Sequence, residues 1–199
     1  MHDLTKITLS PDELELVTDS DWILTKRAII DKAIALFNEL LPGYSNIIKE
    51  NRDLLPAEAI SISPKISKGE NYRGLPWVVL DYPRCFRGKD IFAIRTMFWW
   101  GNFFSITLHL SGKYTSMLDV NSEKIGSEDL ICVNSDQWQH HFEETNYKLG
   151  KSLSESEFDD HLKKKEFVKI AQKYPLSQWN SIQPSMLRSF EKMIDLVVT

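Results

Sequence analysis

The sequence predicts an α+β fold: a central antiparallel sheet, a meander of about five or six strands, with N-terminal and C-terminal helices packed on it. Three observations carry this. Apolar residues recur at helical spacing in the first fifty residues and again toward the end of the chain. Between residues 60 and 134 the period becomes two, with turn residues at short intervals. Helical and strand-like segments are also grouped instead of alternating as βαβ units, which disfavours a parallel sheet.

Taken in order, Ser10, Pro11 and Glu13 combine a hydroxyl cap, a proline at the first helical position and a first-turn carboxylate, so a short helix starts there. The stretch "SDWILTKRAIIDKAIALFNELLPG" sets Trp22, Ile29, Ile30, Ala33, Ile34, Phe37, Leu40 and Leu41 on one stripe. A second helix is expected to end at Pro42-Gly43. Strands are expected near 60–66, 75–82, 90–99, 103–110, 113–118 and 130–134. Helical spacing returns at Trp138, Phe142, Thr145 and Leu149, with Gly150 as its stop. Ser154 and Glu157 have capping-box spacing before "FDDHLKKKEFVKIAQKYP", read as a helix that Pro175 ends. A last helix begins near Pro184 and turns Leu187, Phe190, Ile194 and Val197 inward. The expected core is Trp22, Ile30, Ile34, Phe37, Phe98, Phe104, Ile106, Leu108, Phe142, Leu187, Phe190 and Ile194.

The most informative segment is "RTMFWWGNFFSITLHLSG", residues 95–112. A three-residue loop, Trp100 to Asn102, with one residue in the left-handed region pairs Phe98, Thr96 and Ile94 with Phe104, Ile106 and Leu108. A two-residue loop slips the register by one and drives Arg95 into that apolar cluster. Burying an unpaired guanidinium costs several kcal/mol, so the three-residue loop is expected. The second face then carries Arg95, Trp99, Phe103, Ser105, Thr107 and His109: aromatic at the tip, polar along the shaft. A pocket commonly has this make-up, with Arg95 as partner for an anion and Trp99 and Phe103 as walls. The competing reading is that a helix or loop covers the face and a local carboxylate pairs with Arg95.

Other segments carry weaker chemistry. In "SDQWQHHFEETNYKLG", His140 and His141 lie four and three residues before Glu144; on a helix either pair could offer two metal ligands, although HExxH is absent. No metal site is expected beyond these three candidates. "SPKISKGENYRGLPW" lacks the GK[ST] ending of a phosphate loop. Cys85 sits among Arg84, Arg87 and Lys89 but has no histidine near it in sequence, and Lys26 interrupts the apolar stripe of the long helix, from which lysines usually snorkel.

The chain has 199 residues, long enough for one substantial core, and the expectation is a single domain over 1–199. With 24 basic against 28 acidic residues, net −4, it has no global field to concentrate nucleic acid or an anionic membrane. The bias is local: residues 65–95 hold seven basic and three acidic residues, residues 119–160 three basic and eleven acidic. Two cysteines without CxxC spacing argue for free thiols. The N-terminal residues lack the pattern of a secretion signal and no apolar run reaches 18 residues, so the protein is expected to be soluble and cytoplasmic.

Function at this level divides three ways. The first expectation is a non-catalytic module that binds a small anionic, partly aromatic ligand on the sheet face, with no cofactor. The second is a divalent-metal-dependent hydrolase or nuclease-like enzyme. The third is an interaction subunit using the aromatic hairpin, in which case a homo-oligomer is expected.

Overall fold

The computed structural model describes residues 7–118, 125–163 and 166–197. Seven antiparallel strands form one open sheet: β1 (Lys65–Tyr72), β2 (Leu75–Arg87), β3 (Asp90–Trp99), β4 (Phe103–Ser111), β5 (Leu130–Cys132), β6 (Tyr147–Leu149) and β7 (Phe167–Pro175), in the order β1-β2-β3-β4-β7-β5-β6. The first four make the expected meander. The fold class is α+β, with one strand more than expected.

Helices α1 (Pro11–Thr18), α2 (Ser20–Glu50), α3 (Ala57–Ile60), α4 (Glu155–Lys163) and α5 (Ile182–Asp195) complete the architecture. The capping box at Ser10 and Glu13 forms as read, and so does the one at Ser154 and Glu157. One face of the sheet packs on α2 and α5 through Phe37, Leu40, Tyr44, Phe98, Phe104, Ile106, Met186 and Phe190, all buried. Tyr44 and Phe190 stack with ring centroids 3.8 Å apart, and the Tyr44 hydroxyl meets Thr96 Oγ1 at 3.1 Å.

Five expectations about local structure are corrected. The strand expected near 60–66 is β1 at Lys65–Tyr72, and residue 60 ends helix α3, Ala57–Ile60. Helix α2 does not stop at Pro42-Gly43 but continues to Glu50. The proline removes one helical hydrogen bond, at a cost of roughly 3 kcal/mol. Burial of Tyr44 and Ile48 beyond it offsets that cost, since the apolar stripe keeps its phase. Residues 113–118 are not a strand: Gly112, at φ 59°, turns the chain out of β4 into a 3-10 helix, Gly112–Met117.

Residues 138–149 are not a helix. Asn134 and Asp136 accept hydrogen bonds from the backbone N–H groups of Asp136 and Trp138, the local turns by which Asx side chains compete with helix formation, and the chain ends as strand β6. The helix starting at Ser154 ends at Lys163, and "FVKIAQKYP" is β7, inserted between β4 and β5. Its period of two is plain in retrospect: Val168 and Ile170 are buried on the helix side, Lys169 and Ala171 on the other.

Of the expected core, Trp22 is corrected outright, at 49% exposure, because the sheet does not reach the first turns of α2. Ile34 and Leu187 are half-buried at its margin, Phe142 is half-buried on the opposite face of the sheet beside Phe103, and the remaining eight are buried.

Candidate functional site

The hairpin of β3 and β4 has the register of the three-residue loop. Trp99 pairs with Phe103, Phe98 with Phe104 and Arg95 with Thr107, and Gly101 holds the left-handed position at φ 69°. Arg95, Trp99, Phe103, Ser105, Thr107 and His109 therefore share the face of the sheet opposite α2 and α5.

That face is covered. Residues 133–146 cross it as an irregular strap of turns and bends, held by polar contacts at its centre and aromatic ones at its rim. Arg95 is paired across the strands with Asp81: Nε to Oδ1 at 2.7 Å and Nη2 to Oδ2 at 2.9 Å. Its Nη1 lies 3.0 Å from His140 Nε2. A guanidinium only donates, so His140 accepts there and carries its proton on Nδ1. His109 Nε2 lies 3.0 Å from Gln137 Oε1, an acceptor, so His109 is the opposite tautomer.

Lys169, 1% exposed, donates to the carbonyls of Gln137 at 3.0 Å and Gln139 at 2.5 Å. No carboxylate among the described residues pairs with it. The Tyr72 hydroxyl accepts from the backbone N–H groups of His140 and His141 at 2.7 and 3.1 Å.

The electrostatics follow from burial. Removal from water, together with the Lys169 and Arg95 charges, pushes His140 down to about 2. Burial and Lys169 take His109 to about 3, and desolvation lowers Lys169 to about 8. Both imidazoles are neutral props at neutral pH. Ser105 and Thr107 are buried, and Trp99 packs edge-on against Phe103 at 5.3 Å.

The metal candidates separate. His140 faces Arg95, His141 Nδ1 accepts from the backbone N–H of Glu143, and Glu144 is exposed. The helical spacing that linked them does not exist. Among the described residues no three His, Cys, Asp or Glu side chains stand together as a metal site. Cys85 is buried beside the Tyr114 hydroxyl, and Lys26 forms an ion pair with Glu70.

Open space begins where the strap meets the sheet edge. Phe103 packs on Phe142 at 4.8 Å and Phe142 on Tyr147 at 4.6 Å, so an aromatic row runs from the hairpin to a groove of about 820 Å³. The groove exists because β5 pairs with β7 only as far as Leu130 and Ala171; residues 172–175 pair with β4 alone. Phe142, Tyr147, Tyr174, Leu130 and Leu149 supply apolar walls. Lys148 and Lys173 supply ammonium donors, Gln172 and Ser152 already donate to Asp129 Oδ1 and the Leu149 carbonyl, and Glu128 and Glu144 lie at the rim.

Glu128 is neutralised by Lys151 at 2.7 Å, and Lys148 lies 3.7 Å from Glu157. Lys173 instead sits 5.8 Å from the Phe142 ring centroid, paired with no carboxylate among the described residues. Sequence reasoning missed Lys169, Lys173 and Tyr174 because it read β7 as helix; the alternation in "FVKIAQKY" was the available signal.

Comparison with protein-family models, curated proteins and solved structures finds no match to this chain. Among the described residues no helix is long and apolar enough to cross a membrane.

Proposed function

We propose that this protein is a non-catalytic binding module for a small anionic, partly aromatic ligand, and that the ligand enters the groove between β7 and the strap. The observation that carries the reading is Lys173 beside Phe142: an ammonium without a carboxylate partner among the described residues, above an aromatic wall, in a concavity of ligand size. A planar ring fits against Phe142, on the same face of β7 as Lys173, while its carboxylate or phosphate meets the Lys173 ammonium.

Arg95 has a different role in this reading from the one its sequence context suggests. Three of its five N–H donors bond Asp81 and His140, so it fixes the strap and, through Phe103 and Phe142, the groove wall. Catalysis has less support, because both buried imidazoles are committed to structural hydrogen bonds and the metal candidates are apart.

The experiment is an amide chemical-shift titration with phenyl phosphate and an indole carboxylate. Saturable shifts at Phe142, Lys173 and Tyr174 that vanish in Lys173→Ala support the proposal. No saturable shift at these positions up to about 10 mM, well above the 1 mM Kd that corresponds to roughly −4 kcal/mol, overturns it.

A further inference from the structure

We infer that the N-terminal helical arm is a self-association surface, and that its occupant is the arm of a second copy lying antiparallel to it. Helix α1 buries no residue, and the first buried residue of α2 is Ile30. The stripe that packs on the sheet from Ile30 onward thus runs past the sheet's end to Trp22. The overhang of about ten α2 residues is roughly 15 Å long. On this arm Leu14, Leu16, Val17, Trp22, Ile23 and Leu24 are all exposed, between 37% and 68%. Scattered surface leucines are ordinary, but six large exposed apolar side chains within eleven positions, Leu14 and Val17 on one face of α1 among them, mark an interface. An eight-residue helix that buries none of its residues is also marginal in water, so α1 gains most from a surface to pack on.

The order of charges selects the occupant. Asp12, Glu13, Glu15, Asp19 and Asp21 precede the apolar centre with no basic residue among them, and Lys26 and Arg27 follow it. About a two-fold axis near Trp22 and Ile23, antiparallel arms set Asp19 and Asp21 of each copy against Lys26 and Arg27 of the other. A parallel arrangement sets acid on acid. The pattern is self-complementary, as a two-fold interface requires, and opposite-charge juxtaposition fixes its register. Arg27 is exposed; Lys26 is half-buried, its side chain 19% exposed and paired with Glu70, so Arg27 presents the free part of the complementary charge.

The test is sedimentation of the full chain from micromolar concentration up to about 1 mM, with three variants. The expected result is reversible dimerisation, weakened at least tenfold by Asp19→Lys with Asp21→Lys, and equally by Lys26→Glu with Arg27→Glu. Mixing these two variants restores association, because each arm then complements the other. Leu16→Glu with Leu24→Glu abolishes it while leaving the far-ultraviolet spectrum of the sheet and α5 unchanged. A strict monomer across the range overturns the inference. So does a dimer indifferent to the charge reversals, since it forms elsewhere on the molecule.

Discussion

Arg95 and Asp81 face one another across β3 and β2, joined by two parallel N–H···O bonds of 2.7 and 2.9 Å beneath a strap that leaves Asp81 only 7% exposed. Bidentate pairing of this kind is among the stronger charge-assisted contacts, and its geometry matters as much as its charge. Removing one partner strands the other in the interior. Arg95→Ala is therefore expected to destabilise the fold by about 3–5 kcal/mol, which at this chain length lowers the melting temperature by roughly 6–20 °C. Arg95→Met combined with Asp81→Leu should recover most of the loss, because it leaves no charge unpaired. Calorimetry of the single and double variants checks this; a single variant that melts with the parent would mean Arg95 does not hold the strap.

The two neutral histidines give the strap an acid dependence. His140 and His109 have pKa values of about 2 and about 3 in the folded state, against 6.5 in the unfolded chain. Between those limits the unfolded chain binds more protons, so stability rises with pH there. Their contribution is complete above about 6.5 and is lost as pH falls below it. His109→Gln with His140→Gln keeps a donor toward Gln137 and an acceptor toward Arg95 without titrating. Its urea-derived stability should fall less steeply between pH 6 and 4.5, by up to about 2.7 kcal/mol per pH unit for two protons. Equal slopes in parent and variant would show that neither imidazole is held neutral.

The hairpin was legible in the sequence and the strap was not, for the same physical reason. Arg95 leaves only one register without a buried unpaired charge, and that local constraint decides the pairing of a ten-residue and a nine-residue strand. Nothing local decides the fate of Trp138, His140 and Phe142, whose spacing suits a helix. Their partners are His109, Arg95 and Phe103 on a distant strand pair, and tertiary contact overrides a short-range period. The same holds for α2, where burial of Tyr44 carries the helix through Pro42. The groove was hidden with β7, since Lys173 and Tyr174 bound it only once residues 167–175 form a strand.

Gly69 on β1 faces Trp77 on β2 across the ladder, and a Cβ there would stand 2.6 Å from Trp77 Cζ2 and 2.9 Å from Nε1. Three indole atoms of Trp77 stand within 2.9 Å of that Cβ position, and no small adjustment of a ring that size makes room. Gly69→Val should destabilise by about 1–3 kcal/mol despite valine's preference for strands. A red-shifted tryptophan emission should accompany the loss as Trp77 is displaced. A variant as stable as the parent, with unchanged emission, would show that the ring is not seated on Gly69.

Lys169 reverses the usual alkaline behaviour. Its ammonium is buried with two carbonyl acceptors and no carboxylate among the described residues, and its pKa of about 8 lies below the 10.5 of the free side chain. From pH 8 to 10 the unfolded chain binds the extra proton, so this group adds stability as pH rises, by about 1.4 kcal/mol per unit at most. Buried tyrosines work in the opposite sense nearer pH 10, so the comparison must be made against a variant. Lys169→Met fills the same volume without a titrating group. The difference in stability between parent and Lys169→Met should shift in the parent's favour from pH 7.5 to 9.5 and be flat from pH 6.5 to 7.5. A difference that stays constant over the whole range would place the lysine's titration elsewhere, and the strap would then rest on a fully charged amine at every pH it meets.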